Sequence, residues 1–153
     1  MATISIHLQP KHVIEIGSSF STLVAAEVNR RFFDSKVRMT CVEPFPRQFL
    51  IDGVDGVTEL VRERVQQLGL SRFESLDRND ILFVDSSHVS KTGSDVNHLI
   101  FEIFPRLRPG VYVQIHDIFL PDDYPPKWAI EDGRNWNEQY VIRAFLQYNK
   151  SSR

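Results

Sequence analysis

The feature that most constrains this chain is an alternation of short, nearly unbroken apolar runs with helix-patterned stretches. The first run is Val13-Ile14-Glu15-Ile16, closed by Gly17, and the second spans Val37 to Val42, closed by Glu43 and Pro44. A weaker third lies near Val57 to Val61. The fourth, Ile81 to Val84, ends at Asp85, and the fifth, Val111 to Ile115, ends at His116 and Asp117. Continuous apolar runs suit strands covered on both faces, and strands alternating with helices predict a parallel α/β sheet.

The helices between the runs follow from spacing. Phe20 to Phe33 places Leu23, Val24, Val28 and Phe32 on one side, with Glu27, Asn29 and Arg30 opposite. Ser94 and Asp95 cap a helix whose apolar stripe is Leu99, Ile100, Ile103, Phe104 and Leu107, and Pro109-Gly110 stops it. A last helix is predicted from about Asn137 to Tyr148, with Tyr140, Val141, Ala144, Phe145 and Tyr148 spaced for burial. Between them, Leu120 to Asn135 is rich in proline, acid and aromatics and reads as a long loop, a kind that tends to be functional.

A length of 153 residues predicts a single domain, residues 1–153, able to bury one core. The net charge of -2 gives no electrostatic ground for binding nucleic acid or an acidic membrane. The single cysteine, Cys41, falls in a predicted strand and reads as a small core residue. Met1 to Pro10 lacks the basic start and apolar run of a signal peptide, and no stretch approaches the roughly 20 apolar residues of a membrane span. A cytoplasmic location is the expectation.

In an open parallel sheet, ligands bind beyond the carboxyl ends of the strands, near the switch in strand order. Gly17-Ser18-Ser19, Glu43, Asp85 to His88 and His116-Asp117 all fall at such ends. Gly17 permits a tight turn, and the following helix start offers free N–H groups; the plainer reading is a turn with serine caps. The loop lacks the second and third glycines of the dinucleotide fingerprint, which disfavours an NAD-linked oxidoreductase. A carboxylate at Glu43 can accept hydrogen bonds from both hydroxyls of an adenosine ribose; alone, it also reads as a solvent-facing acid ending a strand.

With these segments in place, the chain resembles the class I S-adenosylmethionine-dependent methyltransferases. The resemblance rests on Glu15 to Thr22, Cys41-Val42-Glu43-Pro44, Phe83-Val84-Asp85-Ser86-Ser87-His88 and His116-Asp117-Ile118-Phe119, and extends from Val13 to Asn149. The type it is most similar to is that of small bacterial O-methyltransferases and the cephalosporin-hydroxylase-like branch. The resemblance implies a three-layer Rossmann-like parallel sheet with helices on both faces. It also implies a methyl transfer to a hydroxyl oxygen of a small molecule.

Carried residue by residue, the resemblance sets Gly17, Ser18 and Ser19 against the methionine part of the cofactor, with Glu15 supporting the loop. Glu43 holds the ribose, Val65 and Gln66 edge the adenine, and Asp85, with Ser86 beside it, lies near the sulfonium and the acceptor. Ser19 stands where the family usually has a second glycine. His88 stands where related enzymes carry a lysine base; an imidazole with a pKa of roughly 6.5 suits that role, and the alternative is a histidine that only orders the loop. Asp85, His116 and Asp117 offer ligands to a divalent ion such as magnesium, although Ile118 replaces the amide of the catechol-type pattern. The alternative for His116 is to fix the turn. Aromatics at Tyr124 to Trp128 and Trp136 to Tyr140 either form a lid over the acceptor or pack the loop onto the sheet.

By the family layout the chain lacks the usual helical segment before the first strand and the last two strands, leaving Val111 to Ile115 at an exposed edge. That layout predicts either a C-terminally truncated product or a domain whose edge a partner, such as a second copy, covers. A cofactor-binding or regulatory remnant of the same fold is the alternative to an active enzyme.

Overall fold

The computed structural model describes residues 2–147 and 149. Helix α1 (Ala2–Leu8) leads into strand β1 (His12–Ile16), helix α2 (Phe20–Phe33) and strand β2 (Arg38–Val42). The short helix α3 (Gln48–Ile51), strand β3 (Glu59–Val61), short helix α4 (Ser71–Glu74) and strand β4 (Ile81–Val84) follow. Helix α5 (Asp95–His98) runs on through a π turn (Leu99–Ile103) and a 3-10 turn (Phe104–Arg106) to strand β5 (Tyr112–Ile115). Helices α6 (Pro126–Ile130) and α7 (Glu138–Gln147) complete the described chain.

All pairings are parallel and the strand order is β3-β2-β1-β4-β5. This is the expected Rossmann-like α/β sheet. Side-chain alternation along each strand feeds two separate cores. On one face Ile14, Ile16, Val42, Leu82 and Val84 pack with Val65, Phe73, Leu99 and Ile103. On the other, Val13, Ile81 and Phe83 meet Leu8 and Val37, while Met39 and Cys41 meet Ala25 and Ala26. Apolar residues on both faces explain why the strands read as continuous runs.

Several expectations change. A helix does precede the first strand: Leu8 of α1 packs into the core beside Val13 and Phe83. Helix α2 has the predicted bounds but turns a different face to the sheet. Thr22, Ala25, Ala26, Val28 and Asn29 are buried, whereas Leu23, Val24 and Phe32 are exposed. Small side chains let the helix lie close to the strands, and Asn29 is drawn inward by unpaired backbone. Its Nδ2 donates to the Val37 and Gly56 carbonyls, both at 2.8 Å, and its Oδ1 accepts from Val37 N at 3.1 Å. Those groups lie away from water and need partners.

Ser94 caps α5 as expected, its Oγ accepting from Asn97 N at 3.2 Å. The predicted loop from Leu120 to Asn135 contains α6. In α7, Ile142 is the apolar residue fully buried, against Val96 and Ile100, while Tyr140 and Ala144 are exposed. The predicted end at Tyr148 lies outside the described residues. Strand β5 pairs with β4 and lies last in the order, with Tyr112 and Val113 exposed. No helix among the described residues is long and apolar enough to cross a membrane.

Candidate active site

The strand register brings the predicted site residues to one rim. Ile16 is level with Val42 and Val84, and Val84 with Ile115. The next residues extend that ladder by one step. Gly17 N donates to Val42 O at 3.0 Å, Asp85 N to Ile16 O at 2.8 Å, and His116 N to Val84 O at 2.8 Å. Glu43 N likewise donates to Val61 O at 3.0 Å. Gly17, Glu43, Asp85 and His116 therefore leave the sheet side by side. The reversal of strand order falls between β1 and β4, the place where such sheets bind ligands.

The glycine at this turn is required by packing. Gly17 has φ +81°, and a Cβ there would lie 1.8 Å from the Asp85 carbonyl oxygen. The close backbone approach expected of it is thus made to the end of β4. Glu15 ties the same turn from below: its buried carboxylate accepts from Ser21 Oγ and Thr22 Oγ1, both at 2.7 Å, and from Cys41 Sγ at 3.6 Å. Burial raises the Glu15 pKa, and those three bonds oppose the rise. Burial likewise pushes the Cys41 thiol up to about 12, so this cysteine stays protonated and inert.

Ser18 is buried, and its Oγ has no hydrogen-bond partner among the described residues. Ser19 Oγ accepts from Arg47 Nε at 3.3 Å. Glu43 is half-buried and Oε1 accepts from Phe45 N at 2.9 Å, which fixes the carboxylate at the rim. Val65 is buried in the core cluster that follows β3, and Gln66 donates to the Gly93 carbonyl at 3.0 Å.

Beyond β4 the chain builds a buried ionic cluster. His88 is buried, with Nδ1 2.9 Å from Glu138 Oε2 and Nε2 3.3 Å from Asp85 Oδ1. Burial alone would lower the imidazole pKa; the bonds to Asp85 and Glu138 overcome it and raise the value to about 9. His88 is therefore an imidazolium at neutral pH, with both nitrogens engaged, and such a group does not suit a general base. Ser86 Oγ donates to Glu138 Oε1 at 2.9 Å and accepts from His88 N at 3.0 Å, so its hydroxyl serves this cluster. The His88 carbonyl in turn accepts from Asn137 N and Glu138 N, satisfying donors at the start of α7. The Trp136 indole covers the imidazole, with centroids 4.1 Å apart.

Glu138 is the residue that sequence reasoning missed. It stands 50 positions from its partner His88 and reads only as an acid at a helix start. No local signal marks it as buried.

His116 is half-exposed, with Nδ1 3.0 Å from Asp117 Oδ1 and 3.7 Å from Asp85 Oδ1. No group of three or more His, Cys, Asp or Glu among the described residues is placed to hold a metal ion. Asp85 Oδ1 is paired with the buried His88, and Asp85, His116 and Asp117 are not arranged as the divalent-ion site suggested by the resemblance.

A parallel sheet of this order, with a glycine turn after β1 and acids after β2 and β4, defines a Rossmann-like α/β domain with its polar residues gathered at one rim. Comparison with known proteins specifies it further. The family model described as "Methyltransferase domain" matches residues 14–118, and the chain belongs to that family. Membership implies S-adenosylmethionine as the cofactor. An uncharacterized protein from Archaeoglobus fulgidus is 38% identical over 92 residues, covering 57% of this chain and 42% of the relative. The chain thus matches well under half the length of that curated relative. No solved structure matches.

Proposed function

We propose that the protein transfers a methyl group from S-adenosylmethionine to a hydroxyl oxygen of a small molecule. The observation that carries this reading is the convergence of Gly17, Glu43, Asp85 and His116 on one rim. The residues present suit the cofactor: Ser18 offers a buried hydroxyl without a partner, and Gly17 keeps a side chain out of the turn. In this reading the turn from Gly17 to Ser19 holds the methionine end and Glu43 the ribose hydroxyls. The bound cofactor supplies an electrophilic methyl, whose transfer to oxygen leaves S-adenosylhomocysteine.

The chain must then align the acceptor and take its proton. His116 is better suited to that than His88. Asp117 Oδ1 lies 3.0 Å from Nδ1, and Nε2 makes no hydrogen bond among the described residues. Carboxylate-oriented imidazoles of this kind act as bases through the free nitrogen. Asp85 lies near the sulfonium in this reading, and His88, clamped by Glu138, holds Asp85 in place.

Calorimetry with S-adenosylmethionine, S-adenosylhomocysteine and NAD tests the ligand. Binding of the first two is expected, and binding of NAD alone overturns the reading. Turnover with hydroxylated acceptors, unaffected by magnesium removal, is the expected activity. Cofactor binding with no turnover on any acceptor favours a remnant that binds without catalysing.

A further inference from the structure

Both tryptophans of the chain, Trp128 and Trp136, lie in the segment between β5 and α7, where a cavity of about 290 Å³ is lined by them with Asp123, Tyr124, Arg134 and Tyr140. The rings meet edge to face: Trp128 to Trp136 at 5.1 Å, Tyr124 to Trp136 at 6.0 Å and Tyr124 to Tyr140 at 5.9 Å. Arg134 lies over two of them, its Cζ 4.2 Å from the Trp128 centroid and 4.7 Å from that of Trp136. A cluster that only packed the loop would close this space. The volume sits near the small end of ligand pockets, of about 300 Å³, and limits an occupant to one or two rings.

The charges select the ligand. Aromatic cages ordinarily take cations, but here Arg134 already covers two ring faces and repels a second cation. Asp123 Oδ1 accepts from Tyr124 N at 2.7 Å, Gln139 Nε2 at 3.4 Å and the Tyr140 hydroxyl, which are neutral donors and leave its charge in the lining beside Arg134. Arg134 Nε is 3.5 Å from Asp132 Oδ2, and its Nη atoms make no hydrogen bond among the described residues. Free guanidinium donors beside indole faces recognise a flat ring carrying a carboxylate. The cavity reaches the rim through a single side chain, because Trp136 also lies on His88, which contacts Asp85.

We propose that this cavity binds a small aromatic carboxylate, held by Arg134 and faced by Trp128 and Trp136. Its use as the methyl acceptor rests on the methyl-transfer reading; its binding does not. Both tryptophans line this cavity, so titrations of intrinsic fluorescence with 4-hydroxybenzoate, 4-hydroxybenzamide and benzyltrimethylammonium, corrected for ligand absorption, test it. Saturable quenching by 4-hydroxybenzoate is expected, with the amide and the cation at least about tenfold weaker and Arg134→Gln weakening the carboxylate by a similar factor. Equal binding of the amide, preference for the cation, or no saturation with any of the three overturns the proposal, and these comparisons stand on the wild-type protein even if the variant misfolds. Labelled-methyl transfer to 4-hydroxybenzoate supports the acceptor role. Quenching with no transfer, while S-adenosylhomocysteine still binds, supports the cavity as an effector site. Loss of cofactor binding with quenching intact counts against the methyl-transfer reading and not against the cavity.

Discussion

Replacing Glu138 by Gln tests the ionic cluster that joins β4 to α7. The Glu138 carboxylate is buried and accepts from His88 Nδ1 and Ser86 Oγ, both at 2.9 Å. The His88 pKa rises from 6.5 to about 9 on folding, which corresponds to about 3 kcal/mol of stability. Because the folded value is the higher one, that stability is fully present below pH 6.5 and is lost as pH rises through 9. Removing one partner of a buried pair costs about 3–5 kcal/mol, and glutamine, which keeps the shape and one acceptor oxygen, should fall at the lower end.

Urea unfolding of wild type and Glu138→Gln at steps from pH 6.5 to 9 measures both quantities. Wild type should lose about 3 kcal/mol across this range, and the variant should start lower and fall less steeply. The His12 pKa is lowered, chiefly by burial, so its penalty fades as pH rises through the ordinary value of 6.5 and adds only a small gain at the start of the range. Cys41, raised to about 12 by burial, begins to cost stability only as pH nears its ordinary value of 9.0. A wild-type stability that stays level from pH 6.5 to 9, or a variant with an undiminished slope, refutes the protonated His88 clamp.

Three further outcomes follow from the rim and the core. Glu43→Ala should weaken S-adenosylhomocysteine binding by about 1–3 kcal/mol in calorimetry, and unchanged affinity removes the ribose role. Gly17→Ala should unfold or severely destabilise the protein in thermal melts, since its Cβ meets the Asp85 carbonyl at 1.8 Å in a left-handed turn; a wild-type melting temperature contradicts the turn. Asn29→Ala should cost about 2–3 kcal/mol in urea unfolding by stranding the Val37 and Gly56 backbone groups, without changing cofactor affinity.

The strands and the rim were legible because each is a local property. Burial on both faces writes a continuous apolar run, and the residue that ends the run is also the residue that leaves the sheet. The helix faces were less legible for a physical reason. On α2, large apolar residues suggest the buried side, yet Ala25 and Ala26 are what allow close packing on Met39 and Cys41. Leu23, Val24 and Phe32 are left outside. On α7 the chosen helical register turned Tyr140 and Ala144 inward and passed over Ile142, which packing buries against Val96 and Ile100.

The amino-acid order by itself determined a parallel α/β sheet and the alignment of Gly17, Glu43, Asp85 and His116, because strand ends are set by neighbours along the chain. Only the tertiary structure decided the charge state of His88. Its partner Glu138 arrives from a helix 50 residues away, and a buried imidazole takes its pKa from the carboxylates that surround it in space.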